Sequence, residues 1–224
     1  MLLPLSFECT AMLELVIAGG WVMVPILLLA VASLGICIER LWTLRRREVL
    51  PVGLGDEVRQ WARGRQLDPK HIEVLRANSA LGALLAAALD VRHRSRELIK
   101  ERVEDVGRHV LHDLERFLPT LGTIAAVSPL LGLLGTVFGM IAMFLGILDA
   151  GVGDANRLAG GIGQALISTA AGLLVAIPSL VMHRYFRARV ADFVVDMEKE
   201  AIALVDAIDE HAVTGRAKGK GAQA

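Results

Sequence analysis

The sequence predicts an all-α integral membrane protein with three transmembrane helices and long cytoplasmic helical extensions. Three observations carry this. The chain is 54% hydrophobic with only 4% aromatic residues and a mean hydropathy of +0.53, a profile of helical membrane proteins. Its apolar residues concentrate in three stretches, Leu15 to Ile38, Leu118 to Leu148 and Leu158 to Met182, each long enough for the roughly 20 residues that cross the hydrocarbon core. The charges lie between and after these stretches, since of 24 Lys and Arg, 16 fall between Arg40 and Arg116 and seven between Arg184 and Lys220.

The first stretch, 15–38, reads as a retained anchor. No basic residue precedes it, it outruns a signal-peptide h-region, and Glu39-Arg40 follows it without a small-residue cleavage site. Residues 1–14 form an N-terminal extension, and Met12 offers a second translation start. The basic loading then sets the topology by the positive-inside rule. The N-terminal extension and the 149–157 turn face the periplasm, while segment 39–117 and everything from residue 184 onward face the cytoplasm.

Segment 39–117 is expected to be a cytoplasmic helical domain. It opens with Arg45-Arg46-Arg47, a border run that attracts anionic headgroups of the bilayer. Further on, Ile99, Val103, Val106, Val110, Leu114 and Phe117 recur at steps of three and four, giving one apolar stripe on a charged helix. That helix leads into the second span, 118–148, with Pro119 as the expected interruption. After the third span, 158–183, a C-terminal helix at 184–213 carries a matching stripe of Phe186, Val190, Phe193, Met197, Ala201, Leu204 and Ile208. The two stripes are expected to pack on each other and on neighbouring subunits. The tail, 214–224, is rich in Gly, Lys and Ala and is expected to be disordered.

Candidate functional residues lie inside the second and third spans. Ser128, Gly132, Thr136 and Gly139 share a helix face by spacing, with Pro129 and Gly135 beside them. Gly160, Gly161, Gly163, Gln164, Ser168, Thr169, Gly172 and Ser179 make a similar surface on the third span, which also contains Pro178. Small residues admit close helix approach and hydroxyls bond across it, so a packing seam and a lined pathway both fit. The Gln164 amide must face protein or water, because leaving it unpaired in lipid costs several kcal/mol, on the order of 2–7.

The run Pro129-Leu-Leu-Gly-Leu-Leu-Gly-Thr136-Val-Phe-Gly139, followed by Gly161-Ile-Gly-Gln164-Ala-Leu-Ile-Ser-Thr169-Ala-Ala-Gly172-Leu-Leu-Val-Ala-Ile-Pro178, resembles the signature of the ExbB, TolQ and MotA proton-channel family. Three spans resemble ExbB and TolQ more than MotA. The resemblance implies a homopentamer whose pore encloses the helices of an ExbD- or TolR-like partner bearing a membrane Asp. It also implies that the assembly drives a TonB- or TolA-like protein from the bacterial inner membrane. It makes Thr136 and Thr169 pore-facing. From their own chemistry Gln164, Ser128 and Ser168 are the further candidate pathway residues, and Pro129, Gly132, Gly135, Gly139, Gly172 and Pro178 the candidate packing residues.

This chain has Gln164 where ExbB and TolQ commonly carry Glu. Glutamine bonds but does not titrate, and residues 118–148 and 158–182 contain no Asp, Glu, Lys, Arg or His. A proton relay through these helices therefore needs a carboxylate from a partner. The substitution equally fits a non-conducting scaffold, and a TolQ-type envelope role stands beside the ExbB-type one. No enzyme, cofactor, metal or nucleic-acid chemistry is expected: Cys9 and Cys37 are too few for a metal site. His71, His93, His109 and His112 lie on the charged segment without a third ligand or a phosphate-binding loop.

Overall fold

The computed structural model describes residues 18–63, 69–150 and 155–221, and among them every regular element is an α-helix. In chain order these are α1 (Met23–Thr43), α2 (Arg46–Val49), α3 (Leu54–Arg63), α4 (Pro69–Asn78), α5 (Ala80–Asp90), α6 (Arg96–Glu115), α7 (Leu118–Ala150) and α8 (Ala155–Gly221). Three stretches have the length and apolar content to cross a membrane, within Met23–Thr43, Arg96–Leu148 and Ala159–Glu210. The N-terminal extension, 1–14, residues 15–17 of the expected first span and turn residues 151–154 lie outside the described residues.

The helices group into two units, one made of the described residues up to Glu39 with Phe117–Tyr185, the other of Arg40–Arg116 with the chain from Phe186. In the first, α1, α7 and the opening part of α8 pack side by side. Gly132 of α7 meets Ser168 and Thr169 of α8, Gly139 meets Gly161 and Ala165, and Gly122 meets His183, so these two helices run antiparallel. Gly19 approaches Ile167 and Ser33 bonds to Ser179, so α1 runs parallel to α8, as first and third spans must. Val22, Met23 and Ile26 form a small core with Leu131, Phe138, Ala171 and Val175, and Trp21 meets Phe138 edge-on with ring centroids 5.1 Å apart. The large apolar side chains mostly point outward, among them Leu28, Val31, Leu130, Phe144, Leu148, Leu166 and Leu174. A surface this apolar is built to face lipid or other membrane helices.

The first described long helix, α1, overlaps the expected span at 15–38. The helix starts at Met23, after Gly20 at φ 74°, and runs on to Thr43. Gly20 supplies the left-handed turn ahead of Met23. The interruption between α6 and α7 falls at Phe117, whose φ is 64°, rather than at Pro119. Pro119 sits in the first turn of α7, where its missing N–H leaves no bond unmade.

In the second unit, α5 is the central helix, with Leu81, Gly82 and every residue from Leu84 to Leu89 buried. Ser79 caps it by accepting from the Gly82 amide at 3.0 Å, which satisfies one orphan donor of its first turn. A side chain at Gly82 would collide with the Leu75 carbonyl, so glycine lets α4 and α5 pack with only Ser79 between them. The C-terminal stripe of α8 is buried in full, from Phe186 through Val190, Phe193, Met197, Ala201 and Leu204 to Ile208. On α6, Ile99, Val110 and Leu114 are buried and Val103 and Val106 partly so.

Arginines stitch this unit together. Arg40 is only 2% exposed and donates to the carbonyls of Asp113 and Leu114 at 3.4 and 3.2 Å, placing a cation on the negative end of α6. Arg189 donates to the Leu44 carbonyl at 3.2 Å. Along α8, Asp196 pairs with Arg46 at 2.8 Å, Glu200 with Arg59 at 2.5 Å, and Asp206 and Asp209 both with Arg96 at 2.5 and 3.1 Å. The Arg59 guanidinium is held above its ordinary pKa by hydrogen bonds to Asp56 first and Glu200 second. Helix α8 is drawn through Gly221, and residues 222–224 lie outside the described residues.

Candidate proton pathway in the membrane-spanning helices

The α7–α8 seam exists because glycine supplies no side chain where the backbones meet. A Cβ on Gly132 would lie 2.9 Å from the Ser168 carbonyl oxygen and 3.0 Å from the Thr169 Cα, and one on Gly139 2.9 Å from the Gly161 carbonyl oxygen. Gly172 answers from α8, where a Cβ would lie 2.5 Å from the Ser128 carbonyl oxygen. Gly135 leaves room for the Ser168 side chain.

Each hydroxyl in this region finds a carbonyl. Ser128 donates to Ile124 at 2.7 Å, and Ser168 donates to Ala165 at 2.9 Å while reaching Gly132 at 3.4 Å. Thr169 crosses to the same Gly132 carbonyl at 3.3 Å. Thr136 donates to Leu133 at 2.7 Å within its own helix and is partly exposed at the seam's edge. Ser128 and Ser168 are completely buried. Thus Thr169 lies in the seam, Ser128 and Ser168 form its interior, and Thr136 faces partly outward one turn from Gly132. Spacing groups Thr136 with Ser128, Gly132 and Gly139; in the structure Gly135 makes that close approach.

Gln164 packs against Gly20, the left-handed residue before α1, so tightly that any side chain at Gly20 would meet its amide. The amide therefore faces protein at the start of α1. Pro129 and Pro178 lie inside α7 and α8, and their missing N–H groups leave the carbonyls of Ala125 and Leu174 without their helical donors. A serine adjoins each proline, and Ser128 and Ser179 bond back one turn to Ile124 and Val175.

Two features carried no sequence signal strong enough to single them out. Ser33 and Ser179 share a buried hydrogen bond of 2.6 Å that ties α1 to α8; the available signal was a lone serine in the first span opposite one in the third. His183 sits on Gly122, just past the last apolar residue of the third span. Among the described residues no three His, Cys, Asp or Glu groups converge as a metal site. The seam thus offers hydroxyls, with the Gln164 amide turned to the start of α1, and no proton-titrating group lies along residues 118–148 and 158–182.

Known proteins resemble this chain. A sequence model of the MotA/TolQ/ExbB proton channel family matches residues 76–199, which includes both seam helices up to the turn and beyond it. The chain is 37% identical over 185 residues to the putative biopolymer transport protein ExbB-like 1 of Synechocystis sp., covering 77% of this chain and 69% of that one. It is 35% identical over 103 residues to the biopolymer transport protein ExbB of Salmonella typhimurium, covering 46% of this chain and 41% of that one. It is 40% identical over 80 residues to the Tol-Pal system protein TolQ of Haemophilus influenzae, covering 36% and 35%. With its three apolar helices and its glycine seam, the chain is a membrane protein that belongs to the MotA/TolQ/ExbB proton channel family.

Proposed function

We propose that the chain is the channel-scaffold subunit of a motor in the bacterial inner membrane, driven by the proton-motive force, that energises TonB-type outer-membrane transport. It assembles as a homopentamer around ExbD-like helices, with its N-terminus periplasmic and its C-terminus cytoplasmic, and it works as a channel scaffold rather than an enzyme. Protons reach a membrane Asp on the partner along the face of Thr136, Thr169 and Gln164, with Ser128 and Ser168 supporting it from behind. Protonation removes a charge from a low-dielectric pore and frees the inner helices to rotate.

The observation that carries this reading is the pairing of a polar, glycine-lined seam with the absence of any titratable side chain along it. Such a seam can position a carboxyl group and its water but cannot replace one. Similarity to both an ExbB and a TolQ keeps a Tol-type envelope role as the second reading.

The test is to purify the tagged chain from its native membranes, weigh the complex and identify what accompanies it. A ring of about five copies around a single-span protein with a membrane Asp is the expected result. A complex without an acid-bearing partner would leave protons no relay and favour a non-conducting scaffold. Thr136→Val should leave assembly intact and reduce energy-coupled transport; unchanged transport would remove Thr136 from the pathway. Iron-limited growth against detergent sensitivity in a deletion strain separates the TonB-type role from the Tol-type one.

A further inference from the structure

We infer that His183 is the proton-exchange residue at the end of the α7–α8 seam, passing protons between the partner's pathway and the aqueous side. This rests on the proposed function and names a residue that the pathway reading leaves out.

Position comes first. His183 is the first imidazole or charged side chain after an uninterrupted run without one, residues 158–182 on its own helix and 118–148 on the facing one. It lies one turn beyond Ser179, and Ser168, Gly172, Ser179 and His183 follow one another on α8 at steps of four, seven and four, which keeps them on one face. Ser168 and Ser179 are buried and Gly172 touches α7. His183 therefore closes the seam's own polar stripe.

The second observation is the fit. Gly122 gives the imidazole its place: a Cβ there would lie 3.1 Å from Nε2, 3.3 Å from Cε1 and 3.4 Å from Cδ2. The ring thus presents Nε2 to the α7 backbone and holds Nδ1 farther from it, and it stays partly exposed. From α7, residues 118–126 bring no titratable group to it. From α1, Cys37, one turn beyond Ser33, and Glu39 are the titratable groups at this end, and on its own helix Arg184, Tyr185 and Arg187 follow.

A neutral imidazole has one donor and one acceptor nitrogen, and imidazole is the side chain that changes charge between about pH 5 and 8. In the step assigned here, a hydronium ion arriving from the partner's pathway gives its proton to the bare ring nitrogen and leaves water behind, and the ring becomes imidazolium. The imidazolium then gives one proton to bulk water and returns to the neutral ring, so one proton enters and one leaves.

The experiment reconstitutes the full complex, with the partner that co-purifies, in lipid vesicles and measures proton flux under an imposed pH gradient. His183→Gln should preserve the mass of the complex, lower flux roughly tenfold or more, a conservative share of what a positioned acid–base group supplies, and flatten the pH dependence of flux near neutrality. His183→Ala should be slow likewise, and free imidazole in the buffer should restore its flux in proportion to concentration. Wild-type flux and pH profile in His183→Gln, or a slow His183→Ala that imidazole does not rescue, would overturn the assignment and leave the proposed function standing. A wild-type complex that carries no protons would overturn both. If His183→Gln does not assemble, Gly122→Ala, which displaces the ring by contact while keeping it, is read instead; unchanged flux there, with the ring shown displaced, also overturns the assignment.

Discussion

Gly172→Ala tests the seam most directly, because the atoms it would crowd are backbone atoms that no rotamer change can move. The new Cβ would stand 2.5 Å from the Ser128 carbonyl oxygen, 3.1 Å from the Gly132 Cα and 3.2 Å from the Gly132 nitrogen. A carbon seeking its usual separation of about 3.3 Å from a carbonyl oxygen forces α7 and α8 apart by on the order of 0.8 Å. Overpacking of this kind costs about 1–3 kcal/mol. The same shift strains the bonds of Ser168 and Thr169 to the Gly132 carbonyl, already 3.4 and 3.3 Å long, and interhelical bonds in membranes contribute about 0.6 kcal/mol each. At Gly160 and Gly163 an added Cβ would meet nothing within 4 Å, so alanine there brings only its helix-propensity gain of about 0.5–1 kcal/mol. Gly172→Ala should therefore fall about 2–4 kcal/mol below those controls, a shift of about thirtyfold to a thousandfold in the folded ratio. Chemical denaturation of the purified chain in mixed micelles, followed by helix content, reads this difference. Equal stability of Gly172→Ala and the controls, within about 0.5 kcal/mol, would show that the seam is not close-packed there.

Three further outcomes follow from other contacts. Arg40→Met keeps the aliphatic volume but removes the cation from the end of α6, and should lower the thermal stability of the chain by about 1.5–3 kcal/mol, the range for charged hydrogen bonds. A double-mutant cycle of Ser33→Ala and Ser179→Ala should give a coupling of about 0.6 kcal/mol, with about 1.7 as a ceiling; zero coupling would mean the pair does not hold α1 to α8. For Arg59 the sign is set by its raised pKa: its stabilisation is complete below the ordinary arginine value and disappears only as pH rises through the raised one. Arg59→Gln should accordingly lose the same stability throughout about pH 6 to 9, where arginine stays charged, as denaturation series at several pH values would show.

The α8 stripe was legible because a strict three-and-four recurrence leaves one reading, and all seven of its residues are buried. Helix α5 was not, because a window such as Leu81 to Leu89 is apolar on every side and has no period to detect. Its length, short of a span, was the available signal. At the seam, Gly135 and Thr136 stand next to each other, and a 3.6-residue period cannot say which faces the neighbour. The crossing of two helices decides it, and that is information held in pairs of helices rather than in either sequence. Phe117 and Gly20 escaped for another reason: a left-handed backbone at a helix boundary depends on where the next helix must go. Even so, Gly19-Gly20 ahead of an apolar run is a pattern that invites such a turn.

The bond from Thr136 to the Leu133 carbonyl has a consequence for chemical selectivity. A hydroxyl has a single proton, and here it is engaged by the helix's own backbone, so the oxygen presents lone pairs alone. A carboxyl group arriving beside it is welcomed as a neutral acid, which donates, and turned away as a carboxylate, which also only accepts. In this rotamer the Thr136 oxygen accepts and does not donate, and rotation of one side-chain bond reverses that.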